Sequence, residues 1–418
     1  MQEGSLILPV TCIIGFLFIA AISTMVLRRI HFPYTIGLVI VGIGVGITAA
    51  QFDFLKPIQN MQLTPNIILY VLLPTIVFDT AVNMDSRLLF KTLSPVMILA
   101  APGLIISTLL IGTLASIFTP LTISSALLFG ALISATDPIA VVALFKELGT
   151  SKRLTMLVDG ESLFNDATAI VAFQIIQSIV AAGSFGAFVV FSGTLKFITV
   201  FSGGIAVGIV IGWLIIFILR FSKNDPLIEI ALSTVAAYAA FIIANFYLNV
   251  SGVMSVVGAG MAINWFGTNQ FSERMKKYLY EFWAYAAFVA NSFIFLLLGL
   301  TENNMIIDIQ KHQEYILPII IAIIIVLIAR AAVIYGLVPF VNMRHSSKLI
   351  DIKQQTIIFW GGLRGAVPLA LALSLPKGFE HRKMIIEITL GVVLFTLLVQ
   401  GTTMSHLIRK LKLKDSHK

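Results

Sequence analysis

Charge is scarce in this chain. Of its 418 residues only 11% are Asp, Glu, Lys or Arg, while 58% are hydrophobic, against roughly 25% charged in an ordinary soluble domain. That balance excludes a water-soluble globular protein. Cysteine is almost missing: Cys12 stands alone, inside an apolar run, so there is no disulfide framework and no cysteine metal site. The histidines (His31, His312, His345, His381, His406 and His417) fall in loops or at span ends, where they read as solvated groups. The start, Met-Gln-Glu, lacks a basic stretch, and the first apolar run, residues 5–27, is too long for a signal peptide, so it reads as a first span. No Gly-x-Ser-x-Gly, His-Glu-x-x-His or phosphate-binding Gly-Lys loop occurs, which argues against an enzyme and leaves no cofactor to expect. Unbroken runs such as 197–219 do not alternate in polarity, which excludes a β-barrel.

What is present is a series of long apolar runs. Windows of about 20 residues bounded by charge, Gly or Pro give about thirteen spans: 5–27, 33–50, 63–84, 92–118, 122–145, 154–182, 193–219, 226–248, 250–268, 277–300, 315–341, 354–375 and 384–408. The predicted fold is therefore an all-α polytopic membrane protein. Of 28 Lys and Arg, six (Lys56, Lys196, Lys311, Lys377, Arg382, Lys383) fall on one side of these spans, Arg330 and Arg364 within spans, and the remaining 20 on the other side. The positive-inside rule then places the N-terminus outside and the C-terminus in the cytoplasm. Lys377 to Lys383 dissents, with three basic residues on the outer side. The tail, 409–418, is short and basic and is expected to lie on an anionic membrane surface, with no regulatory domain following. Spans five and twelve are interrupted, by Thr136-Asp137-Pro138 and by Gly361-Gly362-Leu363-Arg364-Gly365-Ala366-Val367-Pro368, in matching positions of two inverted repeats.

An ionisable group near the bilayer centre costs at least about 2.5 kcal/mol and is a functional candidate by default. At that depth stand Asp79, Asp137, Glu161, Asp166, Arg330 and Arg364. Four acids and two bases cannot all pair one to one, so some carboxylate holds a proton or a cation. In the string Asp159-Gly160-Glu161-Ser162-Leu163-Phe164-Asn165-Asp166, Ser162 and Asp166 share one helix face, and Glu161 and Asn165 form a neighbouring stripe. At 1.5 Å per residue Asp166 lies about 18 Å into its span and Asp137 about 22 Å into an oppositely running one, so the two can meet near the midplane. Pro138 frees backbone carbonyls there. Carboxylate, hydroxyl and carbonyl oxygens from Asp137, Asp166, Ser162 and Thr136 suit a hard monovalent cation such as Na⁺. Mutually exclusive binding of a proton or a cation at Asp166 is the simplest chemistry for exchange. Glu161 is read as structural, with Arg330 as the best-placed partner. Asp79 is either a bundle-interior group or a ligand. Arg364 is read as binding free carbonyls in its Gly-rich break. The Gly42, Gly44, Gly46 series suits close helix packing.

These motifs together resemble the sodium/proton exchanger family, specifically its NhaP-type bacterial and archaeal members; the Glu-Ser-Leu-Phe-Asn-Asp string is the most specific of them. The resemblance runs from span two to span thirteen. It implies a homodimer of thirteen-helix protomers in the cell membrane. Each protomer would have a dimerisation part (about 5–84 and 226–300), a linker helix (193–219) and a core (about 92–182 and 315–408) in which spans five and twelve cross, the core moving like an elevator. It further implies Na⁺ (or Li⁺)/H⁺ antiport serving pH homeostasis, with Asp166, Asp137, Ser162 and the Thr136 carbonyl binding the ion. Asn165 resembles the neutral partner found in electroneutral one-for-one exchangers, Glu161 and Arg330 the buried ion pair, and Arg364 the arginine of the second crossing helix. Where relatives place a Glu on helix three as an ion ligand, this chain has Asp79. K⁺/H⁺ exchange on the same scaffold is the alternative, because oxygen ligands do not encode ion size in sequence.

Overall fold

The computed structural model describes residues 3–29, 32–51, 64–182, 187–219, 221, 225–267, 273–307, 309–344 and 349–411. His31, His345, His417, Lys56, Lys348 and the tail from 412 lie outside the described residues. Every element among the described residues is a helix: α1 (Glu3–Arg29), α2 (Tyr34–Gln51), α3 (Pro65–Asn83), α4 (Ser86–Phe118), α5 (Ile123–Ile133), α6 (Ile139–Leu148), α7 (Lys152–Ala182), α8 (Ala187–Leu219), α9 (Pro226–Tyr247), α10 (Gly252–Gly267), α11 (Glu273–Ile307), α12 (Ile309–Arg344), α13 (Ile352–Trp360), α14 (Ala366–Ser374) and α15 (Arg382–Leu411). Each predicted run coincides with one of these helices or with a broken pair, α5–α6 and α13–α14. Eight of the described helices are long and apolar enough to cross a membrane, and α1, α2, α5 and α10 contain shorter apolar stretches.

Local chemistry explains the ends. Asp85, Asp225 and Asp351 accept the N–H groups of Leu88 (3.0 Å), Leu227 (2.9 Å) and Gln354 (2.7 Å), satisfying donors that a helix start leaves open. The Asp85 cap starts α4 six residues before the predicted span, so Arg87 and Lys91 are helical and exposed. A hydropathy window sees only the apolar remainder of such a helix. At the other kind of end, Gly149 closes α6 with φ +68°, a left-handed conformation that costs glycine nothing. Short π-helical turns at Ile68–Leu72, Leu99–Gly103, Ile243–Tyr247 and Thr396–Gly401 interrupt the long helices. The dissenting basic loop is held locally: Arg382 donates to the carbonyls of Leu375 (2.8 Å) and Leu373 (3.1 Å), capping the end of α14, and Lys383 sits over the Tyr315 ring.

Packing gathers α2, α3, α10 and α11 on one side of the site, and α4, α5, α7, α12 and α15 on the other. With little hydrophobic drive between helices in lipid, close approach falls to small residues. Gly42 of α2 meets Gly299 of α11 so closely that a β-carbon at 42 would lie 3.0 Å from the Gly299 Cα, whereas Gly44 faces open space. On α8 the ladder Gly204, Gly208, Gly212 lies against Ser251, Ser255 and Ala259 of α10 and the residue before it. Large apolar side chains such as Trp213, Phe221 and Phe340 remain exposed on the outside, the reverse of a soluble protein and suited to lipid.

Candidate functional site

The two helix breaks meet. Pro138 removes a donor and α5 stops at Ile133; Gly361 to Gly365 interrupt the second pair. The freed backbone of one break is satisfied by the other: Asp137 N–H donates to the Leu363 carbonyl at 2.8 Å. Gly365 is required by this approach, since a β-carbon there would lie 2.7 Å from Asp137 Cβ and 2.8 Å from its Cγ. Behind the crossing, Arg364 N–H donates to Thr396 Oγ1 (3.0 Å) and the guanidinium to the Gly362 carbonyl (3.0 Å).

Helix α7 passes alongside and contributes two stripes. Ser162 Oγ donates to the Thr136 carbonyl (2.6 Å), and Asn165 Nδ2 donates to Thr136 Oγ1 (3.3 Å). The Thr136 carbonyl retains a second lone pair. Asp137 Oδ1 accepts from Ile139 N–H at 3.0 Å, so this carboxylate also anchors the start of α6.

Asp137, Asp166, Ser162 and Thr136 line one cavity of about 60 Å³, walled further by Asp159, Pro138, Gly365 and α14 residues, and opposite by α3 and α11. At about 15 Å³ for each water, that space admits roughly four waters or a partly hydrated cation. Among the described residues its lining holds three aspartates and no lysine, arginine or histidine. Burial penalises uncompensated like charges, so such a chamber must take up protons or cations. No cluster of three or more His, Cys, Asp or Glu suited to a resident metal occurs among the described residues.

The other stripe faces away from the cavity. Glu161, 2% exposed, forms a forked pair with Arg330 of α12: Nη1 donates to Oε1 and Nη2 to Oε2 (3.1 Å), and Nη2 also reaches the Ile358 carbonyl at the end of α13 (3.0 Å). This one arginine ties α7, α12 and the second break together. Asn165 sits between the two regions. Its Oδ1, Arg330 Nε and Arg364 Nε have no hydrogen-bond partner among the described residues, and the three side chains line a void of about 10 Å³ with Ser107 and Ser134, room for about one water.

Asp79, grouped on sequence with the ion-binding carboxylates, does not line the cavity. Its Oδ1 accepts from Asn83 at 2.6 Å, and of the α3 residues that do line it, Ile68, Leu73, Ile76, Val77 and Thr80, the last four follow a helical stripe that leaves Asp79 to one side. Three polar lining residues, Thr80, Asp159 and Asn291, are absent from the candidates that the sequence offers. Asp159 stands three residues before Ser162 and seven before Asp166, a periodicity that could have revealed it. Asn291 is a lone amide in an apolar span, invisible to a search confined to ionisable groups.

A profile for "sodium/hydrogen exchanger, transmembrane" matches residues 15–410. The chain belongs to the sodium/hydrogen exchanger family. Among its relatives, the Na(+)/H(+) antiporter ApNhaP of Aphanothece halophytica is 41% identical over 91% of this chain and 70% of that protein. The Na(+)/H(+) antiporter NhaH of Halobacillus aidingensis is 34% identical over 96% of this chain and 98% of that one. The solved sodium proton antiporter MjNhaP1 of Methanocaldococcus jannaschii shares the fold, with a TM-score of 0.72 over 97% of this chain and 99% of that chain at 20% identity.

Proposed function

We propose that this exchanger is a secondary active antiporter that trades Na⁺ or Li⁺ for H⁺ at Asp166. The observation that carries the reading is the lining of the cavity, with three aspartates and no basic side chain among the described residues. Asp166 and Asp137 supply carboxylate oxygens, and Thr136 and Ser162 supply carbonyl and hydroxyl oxygens, a donor set for a hard cation. When the cation leaves, a proton must neutralise Asp166, because the chamber cannot hold that charge bare. Occupancy by one excludes the other, which couples the two fluxes. The relatives' names favour Na⁺ over K⁺.

One-for-one, electroneutral exchange follows from Asn165, which turns its neutral amide toward Thr136 and the two arginines where a carboxylate would add a second titrating charge. The pair formed by Glu161 and Arg330 positions α7 against the second break, and Arg364 holds that break's carbonyls. The site lies between the α3/α11 wall and the crossing helices, the geometry an elevator-like displacement of the core against a dimerisation scaffold requires. Thirteen crossings, a homodimer, residence in the cell membrane and a cytoplasmic C-terminus complete the reading; the charge asymmetry of the loops supports the orientation.

In inverted membrane vesicles, Asp166→Asn abolishes Na⁺-dependent dissipation of ΔpH; exchange retained in that variant refutes the mechanism. Competition also sets a pH dependence. The apparent KM for Na⁺ rises as pH falls, and a pH-independent KM would exclude shared occupancy. In proteoliposomes, a Na⁺ distribution that shifts with clamped membrane potential would overturn electroneutrality.

A further inference from the structure

The geometry points to Asn291 of α11 as a further cation-binding residue, contributed by the wall opposite Asp166. This rests on the exchange reading of the cavity. Asn291 is only 6% exposed, yet its amide has no hydrogen-bond partner among the described residues. Its amide atoms are not among the sealed polar atoms left without a partner; they open onto the cavity that Asn291 lines, so their partner is what that cavity holds.

Its neighbours narrow the role. With Ile294 and Phe295 it forms one helical stripe of α11 toward the cavity, and α3 adds Ile68, Leu73, Ile76, Val77 and Thr80. Of the two polar groups on this wall, Thr80 donates its hydroxyl to the Ile76 carbonyl at 3.1 Å. Thr80 thereby keeps only acceptor lone pairs for the cavity, so on this wall Asn291 is the described residue that offers both a donor and an acceptor to the chamber of Asp137, Asp159 and Asp166. An amide suits a site that alternates between two occupants: its NH₂ donates to an ionised carboxylate, and its carbonyl oxygen ligates a cation directly or through a water. The terminal torsion that exchanges the two is soft. Helix α11 itself is held fast, with Leu296 and Gly299 packed against Gly42 of α2. Asn291 therefore brings a ligand from the scaffold side to an ion otherwise bound by the crossing helices and α7.

The test is transport kinetics on purified, reconstituted protein with Na⁺ and Li⁺. Asn291→Leu, close in size and apolar, raises the apparent KM for Na⁺ about tenfold, the loss expected for a partner of a charged group, with maximal rate within about twofold of wild type. Asn291→Ser, which restores an oxygen, recovers part of that loss. A structural amide would lower thermal stability and leave KM alone, so an unchanged KM in Asn291→Leu overturns the assignment. If Asn291→Leu does not yield folded protein, Asn291→Ser decides: a KM raised about threefold supports the role and a wild-type KM refutes it. Failure of the exchange reading is distinct, since wild type itself would then show no Na⁺-dependent proton flux.

Discussion

Removing one member of the Glu161–Arg330 pair should damage the protein more than removing both. The pair is nearly dry, with Glu161 2% and Arg330 8% exposed, and it is forked, so each partner satisfies two atoms of the other. Breaking a buried pair by deleting one member costs about 3–5 kcal/mol, because the remaining charge is uncompensated, whereas an apolar replacement of both is often nearly neutral. The two single losses also differ. Glu161 left alone can be neutralised by a proton, but Arg330 cannot shed its charge and would keep, among the described residues, only the Ile358 carbonyl as acceptor. Glu161→Leu is therefore the more destabilising, at about 4–5 kcal/mol, Arg330→Leu loses about 3 kcal/mol, and the double variant loses less than either. In thermal melts of the purified protein, at about 2 °C per kcal/mol for a large chain, the single variants fall by roughly 5–10 °C. Single losses that simply add in the double variant would refute this account and leave the two residues as independent packing elements.

The other predictions concern the crossing, the vestibule and the scaffold. Gly365→Ala pushes a β-carbon into Asp137; overpacking of about 1–3 kcal/mol at the site weakens apparent Na⁺ affinity about tenfold, and a wild-type KM would contradict the crossing geometry. Asp159→Asn removes a charge seven residues, or about 10 Å, along α7 from Asp166. At an effective dielectric constant of 20 that attraction is about 1.6 kcal/mol, so the KM for Na⁺ rises about fifteenfold in vesicle assays, and no change would place Asp159 outside the ion's path. Gly208→Leu drives a side chain into the backbone of α10, where a β-carbon would already lie 2.9 Å from Ala259 N; melting should show loss of a stable fold, and an unchanged melt would mean that the α8–α10 seam is loose.

The helices were legible in the sequence because lipid allows little else: long apolar runs must satisfy their backbone internally. The breaks were legible for a related reason, since Pro138 and the Gly361–Gly365 run cannot continue a helix. The polar stripes of α7 followed from a 3.6-residue period, which separated Ser162 and Asp166 from Glu161 and Asn165 before any contact was known. Less was readable where capping mattered. Asp85 extends α4 beyond its apolar part, and hydropathy does not register a cap.

What one helix's period cannot supply is which face meets which neighbour. Only tertiary structure turned Asp79 away from the cavity and Thr80 toward it, because the rotation of α3 is set by its packing on α10 and α11. Only tertiary structure brought the Asp137 N–H to the Leu363 carbonyl, 226 residues along the chain, and set Asn291 opposite the aspartates. The sequence by itself determined a helical membrane protein with costly charges at one depth, because composition and period are local properties. Which of those charges share a chamber is a long-range fact, settled by how the helices pack.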